Sequence, residues 1–292
     1  MSSTPVIITA ALTAAVLLAV YIYKESRGFR IVRYRLINDK LKKPHFKFAF
    51  ISDLHGRVHG ADMESVFKAI DDEKPDAVFL AGDMVTTGRY SDFDADKALG
   101  FMGKLAARYP VYYGIGNHEE KLRRRPDLFP GLYEDYCTKL QKIGISMLTD
   151  VKVSLYDAGI DIYGLDLEHE YYRKFKINPI PDDLLKKKFG DCDPSRVSIL
   201  IAHNPEQFDG YAKWHPDIVL SGHVHGGIIS LPFLGGVISP QLKLFPKYDA
   251  GLFERDGSKM ILSRGLGTHT IPVRINNKAE AVIVDIFNED KR

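Results

Sequence analysis

The chain has 292 residues, 45% hydrophobic and 27% charged, with a formal net charge of +2. That composition excludes a disordered, collagen-like or coiled-coil chain and gives enough surface to bury for one large α/β domain. Cys137 and Cys192 are the only cysteines and stand far apart, so a metal site here has to be built from His, Asp, Asn or Glu, and the near-balanced charge argues against a general nucleic-acid binder.

Pro5 to Tyr23 is 19 residues without a charge, at about 1.5 Å rise per residue roughly the thickness of a bilayer core. It reads as a membrane span. A cleaved secretory signal is the alternative, disfavoured because MSST has no Lys or Arg and the apolar run is long. Lys24, Arg27, Arg30, Arg33, Arg35, Lys40, Lys42 and Lys43 follow, eight basic residues against Glu25 and Asp39. By the positive-inside rule this flank and the domain behind it stay cytoplasmic, which predicts a single-pass membrane protein. The flank's excess of +6 leaves about −4 on the rest of the chain, which further disfavours a nucleic-acid partner. The expected units are an anchor at 1–23, a basic juxtamembrane linker at 24–45 and one domain at 46–292.

From Phe46 onward apolar runs alternate with helical spacing, the rhythm of an α/β fold. The strand candidates are 46–52, 76–82, 111–116, 197–202 and 217–222, and Val66, Phe67 and Ile70 mark a crossover helix between the first two. Residues 151–166 read as a hairpin around Asp157-Ala158-Gly159, and 259–267 and 271–287 as strands around a turn at Asn276-Asn277. Two stacked sheets with helices outside would satisfy this pattern.

Metal-capable side chains follow each of the five strand candidates. Asp53-Leu54-His55 follows the first, Asp83 the second, Asn117-His118-Glu119 the third, His203-Asn204-Pro205 the fourth, and His223-Val224-His225 the fifth. Strand ends in α/β sheets share a rim, so residues distant in sequence converge there. Two divalent ions need a shared anionic ligand and further N or O ligands on the outer sides. Gly82, Gly116 and Gly222 each precede a candidate ligand and permit a sharp turn.

The series D-x-H, G-D, G-N-H-E, A-H-N-P, G-H-x-H-G-G resembles the calcineurin-like metallophosphoesterase superfamily over about residues 46–287, and with the N-terminal span it is most similar to the bacterial membrane-associated phosphohydrolase branch. The resemblance implies an α/β four-layer αββα sandwich with one N-terminal transmembrane helix and a dinuclear centre. It implies Asp53, His55, Asp83 and His225 on one metal, Asp83, Asn117, His203 and His223 on the other, and His118 as the catalytic residue acting on the leaving group after attack by metal-bound hydroxide. The N/O ligand set suits Mn, Fe, Zn or Co. Ile228 departs from the Gln that many relatives carry after the last glycine pair.

The expected substrate is a phosphorylated small molecule or a lipid- or nucleotide-linked pyrophosphate. Arg264, His269 and Arg274 are candidate substrate contacts, and Arg264 and Arg274 read equally well as structural ion pairs. The apolar loop 226–247, with Leu231, Phe233, Leu234, Leu242, Leu244 and Phe245, reads either as core or as a lipid-facing wall. Arg123-Arg124-Arg125 reads either as an anion attractor or as a solvated charge run. A nuclease of the same superfamily and a non-catalytic membrane-tethered scaffold are the competing functions. The first is disfavoured by the acidic body and the second by the complete ligand set.

Overall fold

Along one strand, His45–Ile51, Phe46, Phe48 and Phe50 point into one apolar cluster while Ala49 and Ile51 point into another, so both faces of the sheet are covered. The computed structural model describes residues 4–56, 63–88, 93, 95–173, 178–227, 230–231, 235–237, 244–267 and 274–291. In chain order its strands are β1 (Phe29–Ile37), β2 (His45–Ile51), β3 (Ala77–Ala81), β4 (Val111–Gly114), β5 (Met147–Leu148), β6 (Val151–Leu155) and β7 (Ile160–Gly164). They continue with β8 (Val197–Ile201), β9 (Ile218–Ser221), β10 (Ser230–Leu231), β11 (Gly235–Gly236), β12 (Gly251–Arg255), β13 (Ser258–Leu262) and β14 (Ala279–Phe287).

Two six-stranded sheets result, ordered β1-β14-β2-β3-β4-β5 and β12-β13-β9-β8-β7-β6. Phe48, Phe79 and Val284 from the first meet Ile162, Ile199 and Leu220 from the second in the central core. On the outer face of the first sheet, α2 (Met63–Asp72), α3 (Asp96–Ala106), α4 (Asn117–Arg124) and α5 (Leu132–Lys142) supply Val66, Ile70, Phe101, Leu122 and Tyr136 to a second cluster. On the outer face of the other, α6 (Leu184–Phe189) and α7 (Phe208–Ala212) cover Leu200, Val219 and Met260. The architecture is the four-layer αββα sandwich. β2, β3 and β4 run parallel in one sheet, and β7, β8 and β9 in the other.

The apolar N-terminus forms α1 (Thr4–Arg27), long and apolar enough to cross a membrane over Val6–Arg27. Two differences from the sequence reading matter. Residues 24–45, expected as a linker, contain β1, which pairs with β14 in parallel register from Phe29↔Ala279 to Ile37↔Phe287. Val32, Tyr34 and Leu36 on this strand face the central core, and the arginines between them hide the alternation. In 271–287 only β14 is a strand among the described residues, with 271–273 lying outside them. Just before it, Arg274 and Asn277 turn their side chains onto carbonyls of the site loops.

Candidate metal centre

The five metal-capable segments do converge. Asp53 and His55 follow β2, Asp83 follows β3, Asn117 and His118 open α4 behind β4, His203 follows β8, and His223 and His225 follow β9. Asp53, Asp83, His55, His203 and His225 are buried. Asp53, His55 and His225 have donor atoms within 4.8 Å of one another, as do Asp83, His203 and His223, and a third such group joins His55, Asp83 and His118. The third group therefore links the two outer ones, sharing His55 with the first and Asp83 with the second.

The backbone is bent to achieve this. Asp53, His55, Asp83, His223 and His225 all have φ between 51° and 71°, the left-handed region that side chains other than glycine avoid. Each such residue costs on the order of 1–3 kcal/mol and persists only where the surroundings impose it, as they do at functional sites. Gly82 (φ 79°) passes so close to Gly116 that a Cβ would lie 2.5 Å from its Cα, and a Cβ on Gly222 would lie 2.2 Å from an Asp53 carboxylate oxygen. These two glycines let the metal-capable loops touch.

The donor set has the character of a cation site. His203 Nδ1 donates to the Ala81 carbonyl at 2.6 Å, which leaves Nε2 facing Asp83 Oδ2 at 3.1 Å. Two lone pairs in that position require a proton or a cation between them. Likewise His55 Nε2 and His225 Nε2 lie 2.9 Å apart, with Asp53 Oδ1 3.3 Å from the latter. Asn117 Oδ1 is buried and accepts no hydrogen bond. Burial pushes the Asp53 carboxyl up to about 7, opposed by the charge of His203. Burial works against a charged His203, but the carboxylates of Asp83 and Asp53 outweigh it and lift the imidazole to about 10. These residues fit a bound divalent cation, which would replace the His203 proton as the counter-charge.

His118 sits at the rim of this cluster, its Nε2 4.0 Å from Asp83 Oδ2. The Thr87 main-chain N–H donates to its Nδ1 at 2.9 Å, so the neutral ring carries its proton on Nε2. Sequence reading missed the groups that hold these loops. The buried Glu119 carboxylate accepts the N–H groups of Asp83, Met84 and Gly116, each at 2.9 Å, and the Tyr113 hydroxyl at 2.7 Å. Gly-x-x-Glu at the start of α4 is a capping signal that could have revealed it. Tyr172 packs edge-on against His223 at 5.2 Å, and Asn204 Nδ2 donates to the neighbouring Tyr171 carbonyl.

Arg264 and Arg274 both have partners within the protein. Arg274 is buried and donates to the carbonyls of Arg264, Gly265, Gly267 and Asn277, and burial lowers it to about 10. Arg264 bonds Asn277 Oδ1 at 2.8 Å and lies 3.7 Å from the Glu280 carboxylate. Asn277 Nδ2 in turn donates to the carbonyls of His225 and Gly227, so both arginines brace the loop that carries two candidate ligands. Arg123, Arg124 and Arg125 are paired with Asp166, Glu120 and Asp127. Within the apolar loop, Leu244 and Phe245 are exposed rather than core. His269, Ile228, Phe233, Leu234 and Leu242 lie outside the described residues.

The calcineurin-like phosphoesterase family model matches residues 46–227. An uncharacterized metallophosphoesterase of Aquifex aeolicus is 31% identical over 284 residues, covering 93% of this chain and 97% of that one. One from Helicobacter pylori is 29% identical over 260 residues, covering 87% of this chain but 62% of its own length. A phosphodiesterase of Escherichia coli is 25% identical, with 90% of each chain covered. The match to the family model takes in all five metal-capable segments, and the chain belongs to the calcineurin-like phosphoesterases, metal-dependent hydrolases of phosphoric esters.

Proposed function

We propose that the chain is a membrane-anchored phosphoesterase that works with two divalent ions, drawn from Mn, Fe, Zn and Co, on a phosphoester or pyrophosphate bond of a small, lipid-linked or nucleotide-linked substrate. Asp53, His55, Asp83 and His225 would hold one ion, and Asp83, Asn117, His203 and His223 the other. The observation that carries this reading is the pair of facing acceptors, His203 Nε2 and Asp83 Oδ2 at 3.1 Å, beside the unbonded Asn117 Oδ1. Bound divalent ions lower the pKa of a water and draw charge from phosphoryl oxygens.

The chain's own residues do the rest. His118, with its proton fixed on Nε2 by Thr87, donates to the departing oxygen. Glu119 holds the Asp83 loop and the start of α4 in one position, so that Asp83, Asn117 and His118 keep their relative placement. α1 would cross the bilayer once, and Lys24, Arg27 and the arginines of β1 favour a cytoplasmic domain.

The test is metal analysis of the purified full chain together with Mn-supplemented hydrolysis of p-nitrophenyl phosphate, bis-p-nitrophenyl phosphate and a lipid-linked pyrophosphate. The wild type should carry metal and cleave at least one, and Asp83→Asn should lose both properties. A wild type with neither metal nor hydrolysis overturns the reading. A C-terminal reporter active only outside the cytoplasm overturns the orientation.

A further inference from the structure

Only Gly28 separates α1 from β1, so the domain has no tether with which to stand off from the end of the helix. The junction is fixed on several sides. Gly28 N–H donates to the Lys24 carbonyl at 3.0 Å, and the Arg274 N–H donates to Ser26 Oγ at 3.0 Å. Glu25, buried although it sits at the end of an exposed helix, lies 3.9 Å from Lys278 Nζ. The last turn of α1 is thus docked on residues 274–278.

The same stretch holds the root of the apolar loop. The Ile275 carbonyl accepts the Ser230 N–H at 3.1 Å, and Asn276 Nδ2 donates to the Ser230 carbonyl at 3.2 Å. Ser230–Leu231 pairs with Gly235–Gly236, and the next carbonyl, that of Val237, accepts the Phe245 N–H at 2.9 Å. Leu244 and Phe245 are 67% and 58% exposed. Beyond α1 they are the only adjacent pair of large exposed apolar side chains among the described residues.

The sequence places a bilayer boundary at this flank. Tyr21 and Tyr23 are exposed in the last turns of α1, with the Arg27 guanidinium 4.7 Å over the Tyr23 ring. Tyrosines followed by basic residues mark the headgroup level of a spanning helix. Lys24 and Arg27 end the helix where it meets the domain, a charge suited to anionic headgroups, while Arg30 and Lys278 beside them are paired with Glu280 and Glu25.

We propose that this flank lies on the membrane surface, with the Leu244-Phe245 tip immersed at the boundary between headgroups and acyl chains. Its occupant is the bilayer that α1 crosses, so the inference rests on the spanning reading of α1 given above. The apolar pair supplies the buried surface and the basic residues the attraction to anionic lipid, the two components of interfacial binding.

The experiment uses the full chain in vesicles of phosphatidylcholine and phosphatidylglycerol, with brominated lipids as tryptophan quenchers. Trp214 is the only native tryptophan and is buried against Tyr163, so it serves as an internal reference. Phe245→Trp and Leu244→Trp should each add a blue-shifted emission, quenched most by lipids brominated near the headgroup end of the chain. Val16→Trp, in the middle of α1, should be quenched most by lipids brominated deep in the chain. If Val16→Trp is quenched while both tip variants, folded as judged by circular dichroism, emit like water-exposed indole, the surface proposal is overturned and the span stands. If Val16→Trp is not quenched, both fail.

Discussion

The Thr87 main-chain N–H points at Nδ1 of His118 from 2.9 Å, with the Thr87 hydroxyl at the same distance. A backbone donor cannot be reversed, so the neutral imidazole has its proton on the edge that faces Asp83. Replacing His118 with Ala removes that proton but none of the proposed ligands. Turnover should fall about 10²–10⁴-fold, the usual worth of a positioned general acid, with metal content unchanged. Steady-state kinetics alongside metal analysis decides this. Wild-type turnover on every phosphoester tested would show that the role is wrong.

Glu119 is expected to matter without touching substrate. Glu119→Gln keeps the shape but turns an amide NH₂ toward N–H donors that now meet a carboxylate. The loss should be about 2–3 kcal/mol of folding stability, the scale for leaving buried donors unpaired beside a lost charged acceptor. Metal affinity should weaken in parallel, because the Asp83 loop loses its anchor. Denaturant unfolding and metal titration of the same variant measure both. A variant of unchanged stability refutes the positioning role.

Metal removal should loosen the fold as well as stop hydrolysis. The proposed ligands, held at positive φ with an imidazole nitrogen and a carboxylate facing each other, would be stabilised by a cation. Linkage predicts about 2.7 kcal/mol of added stability at a metal concentration 100 times Kd. The thermal midpoint should drop on chelation and return on adding Mn. A midpoint indifferent to metal excludes tight binding.

Arg274 distinguishes bracing from substrate binding. Arg274→Met leaves four carbonyls without their donor and should cost about 1–3 kcal/mol, the scale for buried polar groups left unpaired. Arg264→Lys, which keeps the charge and loses the fork to Asn277 and Glu280, should lower stability with KM nearly unchanged. A large rise in KM at wild-type stability would restore Arg264 as a substrate contact.

Asp161 gives the fold a pH dependence away from the centre. Burial alone would raise its carboxyl, but hydrogen bonds from Ser154 and Arg196 and the charges of Arg196 and Lys152 outweigh burial and lower it. A depressed carboxylate stabilises above its unfolded value of about 3.9 and loses that contribution as pH falls through the folded one. The stability gap between wild type and Asp161→Asn should be constant above about pH 5 and shrink below about pH 4. A gap that widens in acid contradicts the sign.

The strand ends were legible because apolar runs stop at Asp, Asn and His, and the five central strands lie within a residue or two of their expected places. β1 was not, since Arg30, Arg33 and Arg35 interrupt a strand whose apolar residues alternate toward the core. Apart from the Glu119 cap on Gly116, the contacts from Glu119, Thr87 and Asn277 were also hidden. Each joins a side chain to main chain from another loop, and such pairs leave no periodic trace.

The pairing of β1 with β14 also sets where the domain can be cut. The family model begins at Phe46, but a chain shortened to that point would bare the full hydrogen-bonding edge of β14 from Ala279 to Phe287. Such an edge recruits other strands, so that version should self-associate. Shortening only to Gly28 keeps the edge closed by a native strand whose outward arginines resist further addition.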